Sequence, residues 1–115
     1  MLVVCPNGHL LTNPSEVEVA HAIGLCEFDS APVRDLAIVG AGPAGLAAAV
    51  YAASEGLPVI VLEAQACGGQ ACASSRIENY LGSATGITGQ ALAGSAFVQA
   101  EKFGAEVVVP AQVDF

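Results

Sequence analysis

Three glycines, Gly40, Gly42 and Gly45, are the residues of this chain whose type and spacing most directly suggest chemistry. In a G-x-G-x-x-G turn the first glycine permits a tight bend. The second lets the backbone approach a pyrophosphate, and the third lets a helix pack close to a sheet. Pro43 and Ala44 fill the positions between, where a helix would open. A helix N-terminus offers unpaired N–H groups and the positive end of its dipole to phosphate. Glu63, followed by Ala64, closes a later apolar run and is placed to accept hydrogen bonds from ribose hydroxyls. Short glycine patterns recur by chance, so the surrounding elements must carry the reading.

Those elements alternate strand and helix. Leu36 to Val39 reads as a strand running into the glycines. Ala44 to Glu55 reads as an alanine-rich helix ended by Gly56, and Val59 to Leu62 as a second strand. Thr88 to Phe103 has Leu92, Ala96, Ala100 and Phe103 at helical spacing, with Gly104 as the stop. Glu106 to Val109 reads as a third strand, halted by Pro110. Continuous apolar strands of this kind belong in parallel sheets buried on both faces. The expected fold is therefore α/β, a Rossmann-type parallel sheet over residues 35–115 that forms only part of a dinucleotide-binding domain.

Residues 1–25 form a separate unit. Leu2 to Val4 and Leu10–Leu11 flank Pro6-Asn7-Gly8, a hairpin signal. Asn13-Pro14-Ser15-Glu16 reads as a helix start with Asn13 as cap, and Gly24 as a stop. A hairpin and one helix cannot bury a core alone. Residues 26–34 read as a linker, with Glu27, Asp29, Ser30 and Pro32.

A glutamate rather than an arginine at position 63 argues against a ribose 2′-phosphate, and so against NADPH, at this turn. FAD and NAD share the fingerprint. Gly68-Gly69-Gln70 follows, a second glycine pair able to pass close to a ligand. The stretches Ala37–Ala49, Val61-Leu62-Glu63, Gly68-Gly69-Gln70 and Ile77-Glu78-Asn79-Tyr80 together resemble the N-terminal FAD segment of thioredoxin reductases. The resemblance implies an FAD-dependent oxidoreductase passing electrons from NADPH through flavin to a disulfide. It implies Gln70 and Asn79 against the flavin, and backbone contacts to the adenine near Val109. It also implies a disulfide protein substrate such as thioredoxin and a homodimeric full-length enzyme. Residues 1–25 are similar to the last strands and helix of a thioredoxin-like domain, which implies a fused partner domain.

The family's redox-active C-x-x-C lies in an NADPH domain, and no such spacing occurs in this sequence. The chain is accordingly expected to be part of a longer protein and inactive alone. Cys67 and Cys72 flank the glycine pair, but a redox pair of the related reductases follows its glycines rather than straddling them. Two ordinary thiols are the expected reading. Cys5 and Cys26 show no zinc spacing with them. The chain is apolar, with 54% hydrophobic residues, and acidic, with a formal net charge of −8 and three basic residues. Three cations cannot build a nucleic-acid footprint or hold an anionic membrane surface. No apolar run reaches membrane-spanning length, and no basic segment precedes an apolar core at the N-terminus. A cytoplasmic protein is expected. Two competing functions are a non-disulfide FAD enzyme, such as a monooxygenase or oxidase, and a non-catalytic nucleotide-binding module.

Overall fold

The computed structural model describes residues 1–25 and 33–114. Most of the expected linker, residues 26–32, lies outside the described residues. Strands β1 (Leu2–Val4) and β2 (Leu10–Thr12) form an antiparallel hairpin followed by helix α1 (Glu16–Ala22). Strands β3 (Leu36–Val39), β4 (Val59–Leu62) and β5 (Glu106–Val108) form a parallel sheet in the order β3-β4-β5. Helix α2 (Pro43–Ser54) crosses from β3 to β4, and helix α3 (Gly89–Lys102) leads into β5. Crossover helices are what parallel neighbours require. Among the described residues no helix is long and apolar enough to cross a membrane.

The hairpin loop is closed by the Cys5 N–H to the His9 carbonyl at 2.9 Å, with Gly8 at φ 84°. A left-handed glycine ending a three-residue loop matches the twist of the flanking strands. The start of α1 differs from the sequence expectation. The cap is Ser15, not Asn13: its hydroxyl accepts from the Glu18 N–H, and the Glu18 carboxylate accepts from the Ser15 N–H at 2.7 Å. Ser15-x-x-Glu18 is a complete capping box, and the Ser15 N–H, helped by its hydroxyl, holds the Glu18 carboxyl below its ordinary range. Asn13 is drawn away by the N-terminal ammonium, which its side chain binds, and takes φ 47°.

The sheet is covered on one face. Val59 and Val61 of the central strand are fully buried with Leu46, Ala49 and Ala53 of α2 and Ala100 of α3. Burying each valine or leucine stabilises by about 1.5–3 kcal/mol. Alanines at the helix–helix contact trade area for close approach. Only β4 is buried on both faces, so the expectation of fully buried strands fails for β3, whose Ala37 and Val39 are exposed. Ile60, Ala37 and Glu106 are register partners, and Arg34 at the entry to β3 pairs with Glu106 across the central strand. On α3, Leu92, Ala96 and Ala100 pack inward as expected. Phe103 does not: it is the C-cap, 42% exposed, with the Lys102 ammonium 5.9 Å from its ring. Phe97 packs on the core instead.

One feature of α3 was not legible as a signal. A Cβ on Gly89 would lie 1.7 Å from the Ala71 carbonyl oxygen, whereas Gly94 on the same helix has open space. Gly89→Ala is expected to destabilise by about 1–3 kcal/mol through overpacking. Gly94→Ala is expected to stabilise by about 0.5–1 kcal/mol through helix propensity. Urea melts of the two variants check this, and equal shifts would refute the packing account.

Candidate dinucleotide site

The carboxyl ends of β3, β4 and β5 meet at one place, the crevice where open α/β sheets bind ligands. Gly40, at φ 99°, makes the turn out of β3 and donates its N–H to the Leu62 carbonyl at 2.8 Å. Gly42 caps α2 with no side-chain bond to the first turn, and Pro43 takes the first helical position. A Cβ on Gly42 would meet nothing within 4 Å. The approach to the start of α2 beside Gly42 is thus open, and the Ala44 N–H belongs to that first turn. A Cβ on Gly45 would fall 2.0 Å from the Gly40 carbonyl oxygen and 3.3 Å from Ile38. This bears out the close packing of helix on sheet expected for the third glycine.

Glu63 ties the crevice together. One carboxylate oxygen accepts from the Ala41 N–H at 2.7 Å, the other from the Gln65 N–H at 2.9 Å. Its own backbone joins β5 and the chain beyond: its N–H donates to the Val108 carbonyl at 3.0 Å, and its carbonyl accepts from the Ala111 N–H at 2.7 Å. Burial opposes ionisation here, yet the amides of Ala41, Gln65, Ala66 and Ala64 outweigh it and hold the carboxyl below its ordinary range. The Ala41 and Gln65 bonds take one lone pair on each oxygen, so the group can still accept from hydroxyls. The tether to Ala41 is a role that sequence reading missed. A turn amide facing the end of the next strand is visible only once the two strands pair.

The second glycine pair closes on the first. Gly68 donates its N–H to the Ala41 carbonyl at 2.7 Å, and a Cβ on Gly69 would lie 3.3 Å from the Gly42 Cα. Gly68 (φ 105°) also leaves no room for a side chain, since its Cβ would meet Ala93 at 2.6 Å. The pair therefore serves packing within the chain as well as any ligand. Gln70 follows on a 3-10 turn, Gly69–Ala73, and is exposed. Asn79 stands apart, exposed on the loop beyond the Ile77–Ile87 bridge. Among the described residues no hydrogen bond joins Asn79 to the glycine turns. Val109 leaves β5 half-buried between Val108 and Pro110, beside the Glu63 backbone bonds. Arg76 is engaged within its own loop, with Glu78 at 2.9 Å and the Thr85 carbonyl at 3.1 Å.

Cys5, Cys67 and Cys72 are free thiols. Cys67 packs against the α2–α3 core, and burial, with the nearby charges of Glu63 and Glu101, pushes its thiol up. A thiol held protonated is a poor nucleophile. Among the described residues no group of three or more His, Cys, Asp or Glu could hold a metal ion.

Comparison with known proteins agrees with this geometry. Residues 38–88 match the family described as NAD(P)-binding Rossmann-like domain. The chain is 46% identical to a thioredoxin reductase of Peptoclostridium acidaminophilum over 71% of its length and 26% of that relative. The chain carries a thioredoxin reductase-like Rossmann segment. Its fold superposes on the crystal structure of thioredoxin reductase from Streptococcus pyogenes with a TM-score of 0.61 and 43% identity, over 65% of this chain and 24% of that one. It is also 40% identical, over 65% of its length and 16% of that relative, to a bifunctional thioredoxin reductase/thioredoxin of Mycobacterium leprae. The thioredoxin reductase-like segment thus spans about a quarter of the first of these relatives.

The depressed Glu63 carboxyl has a pH consequence. A carboxyl whose folded value lies below its unfolded one stabilises the fold above the ordinary value of 4.5, and that contribution is lost as pH falls through the folded value. Glu63→Gln should lower stability at neutral pH by about 1 kcal/mol, the worth of a hydrogen bond to a charged group discounted for solvent screening. The deficit should shrink as the pH is lowered below the ordinary glutamate range. Thermal melts across pH check this, and a deficit independent of pH would show that the charge is not the cause.

Proposed function

We propose that this segment binds the ADP portion of FAD in an NADPH-dependent flavoprotein that reduces a disulfide. The observation that carries the reading is the knot at the strand ends, where Glu63, the Gly40–Gly45 turn and the Gly68–Gly69 turn are bonded to one another around an uncovered helix start. The pyrophosphate would lie against Gly42 and the first-turn amides of α2, drawn by unpaired N–H groups and the helix dipole. The Glu63 carboxylate would take the ribose hydroxyls on its free lone pairs, and Ala64 would border the same ribose. Gln70 and Asn79 would lie toward the flavin, with Val109 near the adenine. Bound flavin supplies hydride and electron transfer, and the protein supplies position and electrostatics.

Thioredoxin, or a fused thioredoxin-like domain, is the proposed partner. Support comes from relatives that are thioredoxin reductases and from a relative described as a bifunctional thioredoxin reductase/thioredoxin. Residues 1–25 fit this reading as the end of such a fused domain, because a lone hairpin with Leu2, Val4 and Leu10 exposed lacks a core. NADPH would be held outside this segment, since Glu63 disfavours a 2′-phosphate here. The disulfide-exchanging cysteines would also lie outside it. Cys67, protonated and packed on the core, is unsuited to that work.

Titration of the flavin-stripped full-length protein with FAD and with ADP, followed calorimetrically, tests the cofactor assignment. Both should bind at the same site. Glu63→Ala should weaken each by about ten- to a hundredfold, from the loss of charge-assisted hydrogen bonds. A folded full-length protein that takes neither ligand would refute the assignment. In the full-length protein, the Cys67→Ser, Cys72→Ser double variant should keep NADPH-dependent disulfide reduction within about twofold, since a protonated, core-packed thiol carries no electrons. Loss of turnover with flavin content intact would instead place these thiols in the electron path.

A further inference from the structure

Helix α1 lies across the carboxyl end of β5 and leaves a cleft of about 350 Å³ there. Val17 and His21, one helical turn apart, form its outer wall. Val108, Pro110 and Ala111 form its inner wall, and Asp114 stands at its rim. The cleft adjoins the crevice already described, because Ala111 donates its N–H to the Glu63 carbonyl at 2.7 Å. Glu63 in turn holds the Ala41 amide of the glycine turn. Along the strand ends the order is therefore Gly42, Glu63, then the cleft.

We propose that α1 supplies the outer wall of a base pocket, closing an adenine between Val17 and His21 on one side and Val108, Pro110 and Ala111 on the other. The inference rests on the reading of Gly42 and Glu63 as the pyrophosphate and ribose sites, and it adds what recognises the base. With the pyrophosphate at Gly42 and the ribose on Glu63, the base continues in the same direction and enters the cleft. Its walls suit a flat ring: Val108 is buried, Val17, Pro110 and Ala111 are half-buried, and the exposed His21 imidazole can stack. Its polar lining suits adenine rather than phosphate. The cleft holds the Asp114 carboxylate and the Gln112 amide, and neither lysine nor arginine. With position 6 of the base toward Asp114, the carboxylate accepts from the adenine amino group and repels the carbonyl oxygen that guanine has in its place, as it repels phosphate. The end of the fused domain would thus contribute one wall of the nucleotide site, and base binding would hold it against the sheet.

Backbone amide shifts of the 115-residue chain on addition of ADP test this, together with ADP affinities of His21→Ala and Val17→Ser. His21 is exposed and outside the core, so its variant should fold as the parent does. The expected result is movement of the Val17 and His21 amides along with those of Ala41 and Glu63. ADP should bind about tenfold more weakly to His21→Ala, in line with the worth of a stacked base, and GDP more weakly than ADP to the parent. Movement at Ala41 and Glu63 with α1 unmoved and both variants binding normally would overturn the α1 wall and leave the dinucleotide site intact. GDP binding as tightly as ADP would overturn the recognition of the base. Absence of any shift at Ala41 and Glu63 would overturn the dinucleotide site itself, a failure distinct from the other two.

Discussion

The carboxyl end of the central strand is where the crevice is assembled, and Glu63 does the assembling. Its carboxylate takes the Ala41 amide from the first turn and the Gln65 amide from its own loop. Its main chain bonds to Val108 and Ala111 of the third strand and its exit. Four hydrogen bonds from one residue therefore set the relative positions of three strand ends. Hydrogen bonds to a charged acceptor are the stronger kind, and the lowered ionisation range of the carboxyl is their electrostatic signature. A glycine-rich turn held this way is ordered before any ligand arrives, so less ordering remains to oppose binding.

Around this knot, backbone meets backbone at distances that only glycine permits. Gly45 sits over the Gly40 carbonyl, Gly69 against Gly42, and Gly89 against Ala71. The first contact lays α2 on the sheet. The second docks the Gly68–Gly69 turn onto the Gly40–Gly45 turn. The third anchors the start of α3 to the 3-10 turn that follows. Thr88 caps α3 from the same corner, accepting from the Ala91 N–H at 3.2 Å. The second glycine turn is thus held from both sides, by the first turn and by a helix, and Gln70 is presented from a backbone that is itself packed.

The sheet is asymmetric. Alanine-rich helices cover one face closely, while the other carries the exposed Ala37 and Val39 and the Arg34–Glu106 ion pair. An ion pair at partly exposed positions contributes little to stability. Its more definite consequence is geometric, since it links the entry of β3 to β5 over the central strand. The N-terminal hairpin has its own exposed apolar face, and α1 reaches the rest of the molecule at the β5 exit, beside the crevice.

Much of this architecture was legible in the residues. Apolar runs ending in glycine, proline or an acid located β3, β4 and β5 within a residue, because strand and helix periods are local properties. The roles of Gly40 and Gly45 could be read from spacing, because a fixed turn geometry demands them. Local competition already defeated the reading at α1, where Ser15 won the cap because its capping box with Glu18 was complete and Asn13 was taken by the N-terminus. What sequence could not decide depended on pairing between distant segments. The Glu63 tether to Ala41, the docking of Gly69 on Gly42, the need for Gly89 and the outward turn of Phe103 all arise only when strands and helices meet. The physical reason is that spacing along a chain specifies which residues share an element, whereas contacts between elements depend on register and packing that no single element contains.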